Sequence, residues 1–292
     1  MRALLVHNPA SGSGRPTAES LLAILDGAGF STRYLSSKDD DYKECLARGD
    51  ADIVIVAGGD GTVGKAARYI SDRKVLVAIL PLGTANNVAR SLKIEGEIET
   101  LVRNLHGAKV KRLDVGSAAG PWGQWKFLES VGWGALAKVV DEGVPDQSRE
   151  REIASARELF AQILEKAVPD RVSLEIDGRR IEGDFVLVEI LNIGMTGPRV
   201  LISPSAQPGD GMLDIVYLPA ERRQDMIDWL RSSPDHTPIP LQEIKAKKAT
   251  LVWRTGPLRV DDDVFDAPEL PSNVHVEIEP DGLRICVPSD EA

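Results

Sequence analysis

Ile53-Val54-Ile55-Val56-Ala57-Gly58-Gly59-Asp60-Gly61-Thr62-Val63-Gly64-Lys65 runs from a β-branched apolar stretch straight into a glycine-rich turn. An apolar run without alternation fits a strand buried on both faces, as in a parallel sheet. A helix is predicted at about 62–73. The turn therefore joins a strand to a helix N-terminus, where free backbone N–H groups form an anion site. Gly59, Gly61 and Gly64 match the dinucleotide fingerprint GxGxxG, and Gly59 through Gly64-Lys65 match most of a Walker A loop. Neither match is complete. A Walker A loop needs Ser or Thr after the lysine to hold magnesium, and Ala66 stands there. A dinucleotide fold needs an acid at the end of the next strand, yet 75–80 runs into Pro81-Leu82-Gly83-Thr84. What remains is Gly-Gly-Asp-Gly-Thr at 58–62.

Working outward, residues 1–115 alternate strand and helix signals in the manner of a parallel α/β sheet. Strands are predicted at 3–7, 33–35, 53–56, 75–80 and 111–115, the last closing this layer. Helices are predicted at 17–25, 42–48, 62–73, 85–92 and 97–106. From residue 116 strand-like runs dominate, at 125–131, 171–177, 180–193, 212–218, 244–253, 257–260, 274–279 and 282–287. Only two helices interrupt them, at about 148–167 and 220–231, and 233–240 reads as an exposed loop. The fold class is thus α/β plus all-β. A parallel α/β nucleotide-binding domain (1–115) precedes a β-sandwich-like or barrel-like domain (116–292) whose extreme C-terminus can pack back on the first. The active site is expected in the cleft between the domains.

A chain of 292 residues is long enough for two cores, and 42% apolar with 27% charged residues is a globular composition. No apolar run approaches the roughly 18–20 residues that cross a bilayer. The short apolar N-terminus does not read as a cleaved signal peptide. Cys45 and Cys286 alone are too few for a disulfide framework or zinc site and fit a reducing cytoplasm. A net charge of −10 argues against nucleic acid and weakens long-range attraction to anionic membranes. A lipid would be met through a local patch or delivered singly. Oligomeric state stays open, a homodimer included.

Two further loops follow strand ends. Asn8-Pro9-Ala10-Ser11-Gly12-Ser13-Gly14 carries small residues suited to lying over phosphates, without the ending of a P-loop. Pro81-Leu82-Gly83-Thr84-Ala85-Asn86-Asn87 opens a helix that Thr84 could cap. Ligands gather outside the carboxyl ends of parallel strands, so the loops after residues 7, 57 and 80 would converge on one crevice. Downstream, Gln207-Pro208-Gly209-Asp210-Gly211-Met212-Leu213-Asp214 is a turn entering a strand. Val260-Asp261-Asp262-Asp263 is either a solvated hairpin turn or the source of a base or a magnesium-linked carboxylate. Trp122, Trp125 and Trp133 fit core packing better than lipid contact. His7, His106, His236 and His275 are scattered and are assigned no catalytic role.

Taken in order, Asn-Pro-x-Ser-Gly at 8–12, Gly-Gly-Asp-Gly-Thr at 58–62, Pro-Leu-Gly-Thr-x-Asn at 81–86 and Asp-Gly-x-Leu-Asp at 210–214 resemble the diacylglycerol kinase-type catalytic domain family. That family includes bacterial lipid kinases and sphingosine kinases. Val131-Gly132-Trp133-Gly134-Ala135, Asn192 and Pro204 fall where it has its second-domain landmarks. NAD kinases share Gly-Gly-Asp-Gly-Thr but should carry an Asn-x-Gly-x-x-Gly-Phe segment and an Asn-Glu pair, which this sequence lacks.

The resemblance implies transfer of the γ-phosphate of ATP, with magnesium, to a hydroxyl of a lipid such as diacylglycerol or a sphingoid base. It implies that Gly58, Gly59, Asp60, Gly61, Thr62, Val63 and Gly64 wrap the phosphates, with Asp60 acting through magnesium. Asn8, Ser11, Gly12, Ser36, Thr84 and Asn86 complete the implied nucleotide site. Asp210, with the carbonyls of Gln207 and Met212, matches a second, structural magnesium site. Asp263 matches the general base, usually the Glu of Asp-Gly-Glu. Here Asp263 is one methylene shorter and Asp262 replaces the turn glycine, while Asn87 stands where diacylglycerol kinases usually carry Asp. Two alternatives remain. One is a soluble-substrate kinase of the NAD-kinase kind, and the other a catalytically impaired nucleotide- or lipid-binding regulator.

Overall fold

The structure, a computed structural model, describes residues 1–143, 149–197, 199–232, 239, 241–280 and 282–288, with the backbone alone at 13–14 and 149–150. Apart from Ile239, the loop expected at 233–240 lies outside them. The chain forms two compact units, Met1–Val115 with Pro280–Ala292, and Gly116–Glu279.

In the first unit, strands Arg2–His7 (β1), Ser31–Ser36 (β2), Ile53–Gly58 (β3), Leu76–Pro81 (β4) and Lys109–Leu113 (β5) form one sheet with the C-terminal strand Leu283–Val287. The order is β2-β1-β3-β4, then the C-terminal strand, then β5. All pairs are parallel except that of the C-terminal strand with β5. Strand β5 closes the layer in space, as its sequence suggested, but it is not the last strand in chain order. It is the outer strand, and residues 283–287 fill the place beside β4. The sequence hid this because five strand-forming residues carry no mark of which sheet they will join. Every residue of β3 is buried, as its unbroken apolar run requires.

Helices Ala18–Gly27 (α1), Tyr42–Arg48 (α2), Asp60–Tyr69 (α3), Asn87–Ser91 (α4) and Ile98–Arg103 (α5) connect these strands. Thr17 caps α1, its Oγ1 accepting from the Ser20 N–H at 3.3 Å. Gly49, at φ 65°, ends α2 in the left-handed conformation that glycine adopts without cost.

The second unit contains strands Gly116–Gly120 (β6), Gly123–Phe127 (β7), Ser130–Gly134 (β8), Asp170–Ile176 (β9), Arg179–Leu191 (β10), Met195–Thr196 (β11) and Val200–Leu201 (β12). Strands Leu213–Pro219 (β13), Gln242–Ala246 (β14), Lys248–Trp253 (β15), Leu258–Val260 (β16), Asp263–Phe265 (β17) and Ser272–Ile278 (β18) follow. Apart from the short β11–β12 pair, all belong to an antiparallel sheet of sandwich-like form, with β13 and β14 branching from β10. The run expected at 125–131 is broken at 128–129 between β7 and β8, and that at 244–253 is broken at Lys247. Helices Arg149–Lys166 and Arg223–Arg231 stand where apolar periodicity put them. A further helix, Ala135–Glu142, went unread because it is only two turns long and begins directly at the end of β8. One core packs Trp253, Phe127 and Phe185 between strands, and a second packs Phe160, Met226 and Trp229 against β10 and β13.

Candidate active site

Three loops of the first unit do converge. The C-terminal ends of β1 and β3 are tied by Asn8 N–H donating to the Ala57 carbonyl at 3.0 Å, and those of β3 and β4 by Leu82 N–H donating to the Gly58 carbonyl at 3.0 Å. Asn8 Nδ2 reaches Thr62 Oγ1 at 3.3 Å. Gly59 and Gly83 meet backbone to backbone: a Cβ on Gly83 would overlap Gly59 Cα and lie 2.9 Å from Asn86 Oδ1. Gly12, at φ 60°, sits against the Leu82 carbonyl, 3.2 Å from where its Cβ would be. Asn86 is itself left-handed, at φ 53°. Its side chain locks the turn, Oδ1 accepting from Gly83 N–H at 2.9 Å and Nδ2 donating to the Gly83 carbonyl at 2.7 Å.

Asp60 joins two of these loops. Its carboxylate accepts from the Asn87 and Val88 N–H groups, each at 2.9 Å, and so caps α4 across the chain. The cap is therefore Asp60, and Asn86 rather than Thr84 is the residue at the helix boundary. Sequence reading looked for the cap among near neighbours, and the true one is 27 residues away.

An open cleft of about 360 Å³ lies over the loops after β1, β2 and β3, lined by Asn8, Ser11, Ser37, Lys38, Gly59, Gly61, Thr62 and Lys65. Small residues leave room, the start of α3 carries the partial positive charge of a helix N-terminus, and two ammonium groups favour an anion there. Lys65 is held by the Ser37 carbonyl at 3.1 Å and lies 4.9 Å above the Tyr42 ring. Ser37, Lys38 and Lys65 were not predicted as site residues. Helical spacing could have found Lys65, one turn after Gly61 and Thr62. Ser36 instead turns the chain, its Oγ accepting from Lys38 N–H at 3.2 Å.

In the second unit the acidic triplet forms the hairpin between β16 and β17. Asp261 is buried and left-handed, at φ 51°. Its carboxylate accepts from Leu128 N–H at 3.1 Å and Glu129 N–H at 2.8 Å. Asp262 is exposed and Asp263 half-buried. Trp125 Nε1 donates to Asp263 Oδ2 at 3.3 Å, beside an aromatic wall in which Trp122 stacks on Phe265 at 4.3 Å. Trp133 belongs to the core, its Nε1 donating to the Thr255 carbonyl at 2.7 Å.

At the 207–214 turn, Gln207 O accepts from Asp210 N–H at 3.3 Å, and Asp210 Oδ1 from Met212 N–H at 2.9 Å. Lys245 Nζ lies 3.1 Å from Asp210 Oδ2 and 3.4 Å from Asp214 Oδ1. An ammonium thus already stands on Asp210, the one carboxylate of the implied second magnesium site. Gln207, Asp210 and Met212 do not fit a resident ion in this arrangement. Burial holds the Asp214 carboxyl up at about 6. Among the described residues no three His, Cys, Asp or Glu side chains form a metal cage.

The diacylglycerol kinase catalytic domain family matches residues 2–118. The YegS C-terminal NAD kinase beta sandwich-like domain matches residues 130–287. A diacylglycerol kinase of Staphylococcus saprophyticus is 26% identical, over 95% of this chain and 94% of its own. One from Bacillus subtilis is 25% identical, over 79% and 77%. The crystal structure of a diacylglycerol kinase from Bacillus anthracis superposes with a TM-score of 0.74 at 21% identity, covering 99% of this chain and 97% of that one. Yeast NADH kinase, complexed with NADH, shares the fold more distantly, with a TM-score of 0.55 at 11% identity over 100% and 84%.

Proposed function

Since the chain belongs to the diacylglycerol kinase family, we propose that it is a lipid kinase, transferring the γ-phosphate of ATP to a hydroxyl of a lipid such as diacylglycerol or a sphingoid base. The observation that carries the reading is a cleft lined by the 8–12 and 59–65 segments with two lysines, Lys38 and Lys65, and braced by the 81–87 loop through the Gly59–Gly83 contact. Phosphoryl transfer asks mainly for positioning and charge neutralisation, and this cleft offers both. Magnesium, when bound with ATP, neutralises charge on the phosphates.

The residues divide the work as follows. Gly58–Gly64 cradle the phosphates with backbone N–H groups, and the Gly59–Gly83 contact keeps the cradle closed enough to follow a phosphate chain. Asn8, Ser11 and Thr62 offer neutral polar contacts, while Lys38 and Lys65 offset charge. Thr84 and Asn86 hold the 81–87 loop beside the nucleotide. Asp60 spends two acceptor positions on α4, and its other lone pairs can take water of a hydrated cation. Asp263 takes the proton of the acceptor hydroxyl as its oxygen attacks. Trp125 orients that carboxylate through its indole N–H. The aromatic wall of Trp122, Trp125 and Phe265 excludes water and offers an apolar surface to acyl chains. No helix among the described residues is long and apolar enough to cross a membrane, so the lipid is met at a surface or one molecule at a time.

The test is incubation of the purified chain with labelled ATP and magnesium against diacylglycerols, sphingoid bases, other glycerolipids and NAD. Label in a lipid supports the reading. Transfer to NAD alone replaces it with a soluble-substrate kinase, and binding of ATP without any transfer replaces it with a regulator.

A further inference from the structure

Beneath the Asp261-Asp262-Asp263 hairpin lies a buried ion pair that the reaction described above does not use. Arg259 and Glu189 have side chains 1% and 0% exposed, 2.8 Å apart. The same guanidinium group donates to Ser130 Oγ at 2.7 Å, to Thr196 Oγ1, and through its other terminal nitrogen to the Asp261 carbonyl at 2.9 Å. Asp261 N–H in turn donates to the Ser130 carbonyl at 2.9 Å, and the Asp261 carboxylate holds the 128–129 N–H groups. Asn192, directly after β10, secures the same segment, its Nδ2 donating to the Leu128 carbonyl at 2.9 Å. Room for this arrangement is made in β8: a Cβ on Gly132 would lie 2.6 Å from Glu189 Cδ.

This is a poor way to gain stability alone. Two charges have been desolvated, and burial pushes the Glu189 carboxyl up against the opposing pull of Arg259. Arg259 Nε and Glu189 Oε1 find no hydrogen-bond partner among the described residues. Apolar residues of similar size would fill the space at least as well. What the pair does achieve is geometric. It fixes the carbonyl of a left-handed Asp261, two residues before Asp263, at a bend where Asp262 gives no conformational freedom of the kind a glycine would.

We propose that Arg259, held by Glu189, Ser130 and Thr196, is a positioning residue that sets the 261–262 bend and thereby aims Asp263 at the acceptor hydroxyl. The proposal rests on the reading of Asp263 as the base. Proton abstraction tolerates misplacement of about 1 Å badly, with losses reaching about 100-fold.

The test compares Asp263→Asn with an R259M/E189M double variant and with Arg259→Lys, measuring thermal midpoint, ATP KM, lipid KM and kcat in the full chain. The double variant is expected to keep its thermal midpoint and its ATP KM while kcat falls by about 30- to 100-fold. Arg259→Lys keeps the charge but cannot reach Glu189 and the Asp261 carbonyl together, and is expected to lose about 10-fold in kcat. A merely structural pair would lower the midpoint and spare kcat in the molecules that remain folded. If Asp263→Asn is inactive while both Arg259 variants keep wild-type kcat, the positioning role is refuted and the base assignment stands. If Asp263→Asn keeps full turnover, the base assignment itself has failed. Should the double variant not fold, Arg259→Lys alone decides between these outcomes.

Discussion

Asp60→Asn separates a structural role of the signature acid from a chemical one. In the native protein each carboxylate oxygen accepts a backbone N–H of α4 at 2.9 Å. An asparagine can accept only through Oδ1, so its NH2 would face one of those N–H groups, donor against donor. A hydrogen bond to a charged group contributes about 1.5–3 kcal/mol, and the amide left behind adds a desolvation cost of about 1–3 kcal/mol. The favourable charge at the start of α3, about 0.3–1 kcal/mol, is lost as well. These terms overlap, and a net destabilisation of about 3 kcal/mol is expected. At about 4 °C per kcal/mol for a unit somewhat above 100 residues, the thermal midpoint of the first unit should fall by roughly 12 °C. ATP affinity should fall too, because α4 and the 81–87 loop lose their tie to α3. Differential scanning calorimetry with and without ATP and magnesium measures both. An unchanged midpoint with wild-type ATP affinity would refute the strut, whatever happened to turnover.

Other outcomes follow from the same geometry. Gly83→Ala, which forces a methyl into Gly59 and Asn86, should cost about 1–3 kcal/mol and weaken ATP binding measured by calorimetric titration. Retained ATP affinity would argue against the cleft. Trp125→Phe keeps the ring but removes the donor to Asp263, and should lower kcat by about 3- to 10-fold with ATP KM unchanged in steady-state assays. Asp214 titrates at about 6 in the folded chain against an ordinary 3.8, so between these values the native state binds more protons. Stability should therefore fall as pH rises through about 4 to 6, by about 3 kcal/mol at most. Asp214→Asn should flatten that part of a melting profile against pH.

Much of the first unit was legible because its signals are local. β3 announces itself by an unbroken apolar run, apolar residues at helical spacing mark the helix at 17–25, and Gly58 to Gly64 mark a strand-to-helix turn. Loop convergence was legible too, since it follows from the rule for parallel strands. What escaped depends on partners distant in sequence. The extreme C-terminus is expected to be able to pack back on the first domain, but nothing in residues 283–287 says that they enter its sheet between β4 and β5. Asp60 finds its N–H groups 27 and 28 positions on. Asp261 reads as one of three equivalent acids, yet it is a clamp on residues 128–129 while Asp263 meets Trp125. At 207–214 the resemblance alone implied a cation site on Asp210, and nothing in the sequence showed that Lys245, 35 residues on, would pair with that carboxylate.

The division of labour between the two units is tested most directly by Asp263→Asn in single-turnover transfer from labelled ATP to diacylglycerol, with ATP affinity measured in parallel. The account predicts ATP affinity within about 2-fold of wild type and transfer slowed by about 100-fold or more. Transfer at the wild-type rate would contradict it.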